Sequence, residues 1–244
     1  MSKVKVALLS IVVAGALGAV TATVAAAFPG PFYYVEKAKV GGSGASKAVN
    51  IAIKPGTTVK LLTEYSNFAV EAVCKAVKAE GAVFYNATFQ GESEMTKLTF
   101  SECTVIKPSI CKIVGGTFST VGVYSYLDYE KNPEPTRTPI TQYFRPKSGS
   151  VFAEVPLEGR FCLAPSVLKV KGTAVANVSP ERKEAKEAEL TFPNPPITRT
   201  WDTVAGNKFA EYSAGMELEG KPAILVGTVI ATMTTGEKFG AFDE

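Results

Sequence analysis

The pattern of apolar and polar positions divides the chain into two textures. From Val6 to Val24 the residues are uncharged and mostly apolar, preceded by Lys3 and Lys5 and followed by Ala25-Ala26-Ala27. From Val49 onward, short runs of β-branched and aromatic residues are separated by Gly, Pro and Asn, the texture of an all-β protein. Val167 to Val178 predicts the clearest strand. Leu168, Val170, Ala174, Ala176 and Val178 fall on one face and Lys169, Lys171, Thr173 and Asn177 on the other, the period of two of a sheet that is wet on one side. Thr117 to Tyr129 predicts a second strand, with Val121, Val123 and Leu127 on an aliphatic face and Phe118, Tyr124, Tyr126 and Asp128 on the opposite one. Ala223 to Met233 is apolar along nearly its whole length, as a central strand is.

Two stretches fit more than one element. Asn67 to Glu80 offers an Asn cap, a Gly81 stop and apolar residues at Val70, Val73 and Val77, but it also alternates through Phe68, Val70, Ala72 and Cys74; the strand reading is preferred. Ser179 to Glu189 has a Ser cap, Pro180 at the first helical position and good helix formers. It is short and lacks an apolar stripe, so a solvated connector is preferred. Residues 28–48, with Pro29, Pro31 and the Gly41–Ser46 run, read as a flexible lead-in. That leaves 49–244 as a single β-rich domain, with a loose division allowed near Pro133 to Pro146. The expected architecture is all-β, an antiparallel β-sandwich-like domain stabilised by disulfides after an N-terminal signal peptide.

The charged start, apolar core and small residues before Phe28 are what export machinery and signal peptidase read, so residues 1–27 are expected to be a signal peptide. An uncleaved anchor is the competing reading, because Val6 to Ala27 is just long enough to span a bilayer. Its second half is built from Ala, Gly and Thr, which favours cleavage. No Cys follows the apolar run to carry a lipid, and residues 236–244 have no apolar tail. The expected location is extracellular or at the cell surface, without stable membrane insertion after cleavage.

Composition narrows the partners. Loss of Lys3 and Lys5 lowers the formal charge from +3 to +1, and the rest of the chain has no Lys/Arg cluster. Phosphate backbones select for such clusters, so nucleic acid is not an expected partner. The 217 residues left after cleavage, in a chain 46% hydrophobic, suffice for a sizeable core.

Cys74, Cys103, Cys111 and Cys162 are even in number and, in an oxidising compartment, read as two disulfides. Three connectivities are open. The Cys103 to Cys111 spacing suits a hairpin turning at Lys107-Pro108-Ser109, which would leave Cys74 with Cys162. The second bridge would then close a loop worth on the order of 4 kcal/mol in chain entropy.

The segment Leu98-Thr-Phe-Ser-Glu-Cys103 followed by Cys111, and Gly159-Arg-Phe-Cys162 with Val167-Leu-Lys-Val-Lys-Gly-Thr-Ala-Val-Ala-Asn-Val-Ser-Pro180, resemble secreted, four-cysteine, β-rich actinobacterial proteins of unknown function. The resemblance spans Cys74 to the end and departs from that pattern between Tyr124 and Pro146. It implies secretion and no activity, cofactor or site residue.

The chain contains no histidine, which excludes His-dependent triads, Cys-His dyads and His-ligated zinc. The cysteines lack close-paired metal-ligand spacing, and no nucleophile elbow, phosphate loop or calcium loop is present. No metal or organic cofactor is expected. Carboxylate-only glycoside hydrolysis needs just two carboxyl groups. Candidate pairs are Asp128 with Glu130, beside Tyr126 and Tyr129, and Asp202 with Glu211 beside Trp201.

A binding reading rests on aromatic side chains. Tyr124 and Tyr126 share a strand face, with Tyr129, Tyr143 and Phe144 nearby in sequence; exposed rings suit sugars or a protein partner, whereas in a sandwich the same face would be core. Asn86-Ala-Thr88 and Asn177-Val-Ser179 match the glycosylation triplet, but such triplets arise readily by chance, a bacterial origin would usually leave them unmodified, and they carry no weight. The expected function is a secreted, non-enzymatic binding or structural protein of the cell envelope or extracellular space. Tyr124, Tyr126 and Trp201 are its contact residues, and a cell-envelope polysaccharide or a protein is its partner. The alternative is a histidine-free extracellular carbohydrate-active enzyme.

Overall fold

Residues 30–130, 139–160, 162–204 and 208–243 are described by a computed structural model, residues 201–204 and 208–212 by their backbone alone. Strands dominate, because most of these segments alternate between buried and exposed positions. The first eight are β1 (Phe32–Val35), β2 (Ala38–Lys39), β3 (Lys47–Ile53), β4 (Val59–Tyr65), β5 (Phe68–Cys74), β6 (Ala76–Glu80), β7 (Val83–Asn86) and β8 (Gly91–Met95). There follow β9 (Lys97–Ser101), β10 (Thr104–Lys107), β11 (Lys112–Ile113), β12 (Phe118–Thr120), β13 (Val123–Glu130), β14 (Ile140–Pro146) and β15 (Val151–Glu158). The last are β16 (Val167–Ser179), β17 (Glu187–Phe192), β18 (Arg199–Val204), β19 (Lys208–Ser213), β20 (Gly215–Leu218), β21 (Lys221–Met233) and β22 (Phe239–Phe242). No described helix is long and apolar enough to cross a membrane.

The all-β, antiparallel, disulfide-stabilised class holds, and the edges that a sandwich leaves open are joined here into a closed barrel. One ring runs β13–β14–β16–β17–β21–β3–β7–β8 and back to β13. A second runs β15–β16–β20–β21–β4–β5, passes along the chain into β6, and returns through β9 and β12 to β15. The two 13-residue strands β16 and β21 serve both rings. Closure removes free sheet edges, which are otherwise sites of unwanted pairing.

The face pattern of β16 is as expected: Leu168, Val170, Ala174, Ala176 and Val178 are buried while Lys169 and Lys171 are exposed. Asn67 to Glu80 folds as β5 and β6, and Ser179 to Glu189 contains no helix, only a turn leading into β17. The Thr117 to Tyr129 stretch departs from expectation. It breaks at Val121-Gly122 into β12 and β13, which shifts the alternation by one position. Phe118 therefore joins the main core beside Phe100, ring centroids 4.9 Å apart, and not the tyrosine face. Ile140–Pro146, at the end of the stretch where a division was allowed, is a wall strand of the barrel.

The expected flexible lead-in at 28–48 is corrected in its middle. Phe32–Val35 pairs with Phe239–Phe242, and Phe32, Tyr33, Val35 and Val40 are buried. These strands lid one end of the barrel. Asn86 fastens the lid: its Oδ1 accepts from Tyr33 N at 2.7 Å and its Nδ2 donates to the Tyr33 and Val40 carbonyls. Tyr33, Phe84 and Phe239 pack ring to ring beneath it. Polar and aromatic residues scattered over 200 positions close this end, so no local pattern announces it. Residues 1–27 lie outside the described residues.

All four cysteines are bridged, but as Cys74–Cys103 and Cys111–Cys162. The hairpin assumed for Cys103–Cys111 fails because β10 takes its ladder from β5, Thr104 opposite Val73, which sets Cys103 against Cys74. Likewise β11 pairs with β15, Lys112 opposite Glu158, which carries Cys111 to Cys162.

Candidate functional site

Alternation along β13 turns Ser125 and Leu127 inward and Tyr124, Tyr126 and Asp128 outward. Register then builds a row across the outer wall: Tyr85 opposite Glu92, Glu92 opposite Tyr126, Tyr126 opposite Tyr143, Tyr143 opposite Val175. The Tyr126 and Tyr143 rings stack at 5.0 Å, and both are buried in a small second cluster with Val175, Ile197 and Ala214. Tyr126, expected as a contact residue, is therefore core. The residues that cover it come from the excursion between β17 and β20, some seventy positions away in sequence.

Tyr124 keeps part of its surface exposed. Its hydroxyl donates to Glu92 Oε2 and lies 3.2 Å from the Tyr85 hydroxyl. The Arg145 guanidinium sits 5.4 Å over its ring. Burial, then hydrogen bonding and charge from Glu92, push the Tyr124 phenol far above its ordinary range; burial also raises Tyr85 and Tyr33. The backbone of Trp201 lies opposite Tyr129 in the β13–β18 ladder, and its side chain is outside the described residues.

These phenols have a consequence for alkaline stability. In the unfolded chain they lose protons near pH 10, whereas the folded protein holds them to higher pH, so the folded state binds more protons and stability falls as pH rises above about 10. A denaturation series from pH 8 to 12, with tyrosinate absorbance followed in parallel, should show three phenols titrating only with unfolding. Free titration of all tyrosines in the folded protein would contradict it.

Of the candidate carboxylates, Asp128 is 1% exposed and lies opposite the fully buried Thr141. A carboxylate so enclosed does not reach a glycosidic bond, so the Asp128–Glu130 pair has no access to substrate in this fold. Asp202 and Glu211 lie in the β18–β19 hairpin, their side chains outside the described residues. Among the described residues, no group of three or more Asp, Glu, His or Cys is placed to hold a metal, and the cysteines have no free thiolate.

A different feature occupies the barrel end opposite the lid. Register carries the 66–67 and 219–220 turns, the 108–111 turn and the 159–166 loop to this end. Phe68, Ile106, Ile110, Val114, Leu163 and Val167 are the large hydrophobic residues exposed among the described ones, and all six lie here. Leu163 is 78% exposed. The Cys111–Cys162 bridge stands directly between Ile110 and Leu163 in sequence and fixes their turns together. Gly159 (φ +143) makes this approach, since a Cβ there would lie 2.4 Å from the Ile110 carbonyl. Lys107, Lys112, Arg160 and Lys221 and the acidic Glu64, Glu158, Glu217 and Glu219 lie around them, so charges of both signs surround the apolar side chains of this rim. Sequence reasoning missed it because an isolated Ile or Val in a β-rich chain looks like core; the signal present was Ile106 and Ile110 flanking a Pro-Ser turn.

No family profile, curated protein or solved structure matches this chain.

Proposed function

We propose that the protein is a secreted, non-enzymatic binding or structural protein of the cell envelope or extracellular space, and that it works through the rim at its disulfide end. The carrying observation is the gathering of the exposed large hydrophobic residues at that one end. Soluble proteins scatter such residues singly, and a contiguous group marks an interaction surface. The barrel wall contrasts with it: Lys54–Glu189, Lys60–Glu71 and Lys97–Glu80 ion pairs cover the outside. The partner is an apolar surface, because what this end exposes is a group of large apolar side chains. Its apolar side chains stand on separate turns, which suits shallow insertion into a neutral lipid interface. The two disulfides agree with an oxidising compartment.

Co-sedimentation of the disulfide-bonded protein with washed envelopes, insoluble polysaccharides and zwitterionic lipid vesicles tests this. Retention on envelopes and vesicles is expected. Ile110→Glu combined with Leu163→Glu should lower it about tenfold or more with little change in melting temperature, since both positions are exposed. Retention on polysaccharide alone, equal in the double variant, would move the contact away from the rim.

A further inference from the structure

The barrel wall has a window. Strands β17 and β20 both lie between β16 and β21, end to end. The β17 ladder stops with Phe192 opposite Gly227 and Thr191 opposite Asn177. The β20 ladder starts with Gly215 opposite Thr173 and Met216 opposite Ala223. In this register Ala174 and Val175 of β16 lie level with Leu225 and Val226 of β21, with no strand residue between them. Their other edges are occupied, by β14 and β4 respectively. At standard strand dimensions the gap is about 7 Å along the strands, and the flanking backbones are about 10 Å apart, two inter-strand spacings.

The chain itself causes the opening. After Phe192 it leaves the wall, forms the β18–β19 hairpin, and returns at Ala214. The outgoing and returning strands are clipped where Ala214 N donates to the Thr198 carbonyl at 2.8 Å. Behind this clip lies a chamber of about 160 Å³, lined among others by Val175, Phe192, Ile197, Ala214, Met216 and Leu225. Among the described residues, no charged side chain lines it. Thr173, Ile224 and Leu225 of its lining are partly exposed, so it reaches solvent on that side.

The geometry points to a binding site for a small uncharged apolar group, a single aromatic ring or a short branched alkyl end. An apolar cavity of about 150 Å³ is large enough for benzene, and the apolar lining opposes entry of an ion because desolvation would go uncompensated. The space beneath the lid differs on both counts. It measures about 40 Å³ and presents Ser93, Gln142 and Tyr33, room and partners for a few waters only. The window site stands apart from the rim and does not depend on the function proposed for it.

Benzene is the probe. Titration into the disulfide-bonded protein should give saturable binding at one site and a rise in melting temperature, with nuclear Overhauser contacts from benzene to the methyl groups of Met216, Leu225 and Val175. Benzoate, of similar shape but charged, should not bind. Ala214→Leu and, independently, Gly215→Val place side-chain volume at the chamber wall and should each weaken benzene binding at least tenfold. Ile110→Glu with Leu163→Glu should leave it unchanged. Non-saturable binding up to the solubility of benzene, contacts to residues away from the window, or undiminished affinity in the filled variants would overturn the assignment.

Discussion

Tyr126→Ala should lower the stability of the folded protein by about 3 kcal/mol, the low end of the range for removing a buried aromatic ring. The ring is 6% exposed and stacked on Tyr143 at 5.0 Å, and its cluster is small and near the surface, which argues for the low end. Tyr124→Ala should cost only about 1 kcal/mol, because its ring is half-exposed and the main loss is the hydrogen bond to Glu92. Urea denaturation of the two single variants checks this. If Tyr126→Ala matched the wild type in stability while losing retention on envelopes, the ring would be a contact surface, and its burial would be secondary.

Removing Cys111–Cys162 as a Ser pair should cost about 4 kcal/mol, and Cys74–Cys103 about 3.5 kcal/mol. Both follow from the chain-entropy relation with separations of 51 and 29 residues. Domains of this size are stable by only about 5–15 kcal/mol, so either loss is a large fraction and loss of both should prevent folding. The two bridges differ in their effect on function. Cys111 and Cys162 adjoin Ile110 and Leu163, so their loss should also reduce retention on lipid vesicles at temperatures where the barrel remains folded, whereas loss of Cys74–Cys103 should act on stability alone. Equal loss of retention in both pairs would show that the bridge does not organise the rim. A non-reduced peptide map joining Cys103 to Cys111 would overturn the observed connectivity.

What could be read from the chain was whatever one strand settles by itself. Period-two alternation marked β16 and its buried face, and the apolar run at Ala223–Met233 marked the central strand β21. An even set of cysteines marked two disulfides. The missing histidine excluded whole classes of chemistry without any fold. The site was less legible: Tyr124 and Tyr126 do share a face, but alternation cannot say whether that face meets solvent or another segment.

Tertiary structure decided the rest, because each remaining question turned on which distant segment lies alongside. Phe32–Val35 looked like part of a flexible lead-in until Phe239–Phe242 paired with it. Cys103 looked like the partner of Cys111 until β5 took the ladder that a hairpin would have used. Tyr126 became core when Ile197 and Ala214 crossed over it, and the same crossing left the window between β16 and β21. The rim exists only because register carries four separate turns to one end of the barrel. The sequence by itself determined the periodicity of the strands and the residues available for chemistry; closure of the ring, which fixes every long-range neighbour at once, determined which of those residues are sealed and which face outward.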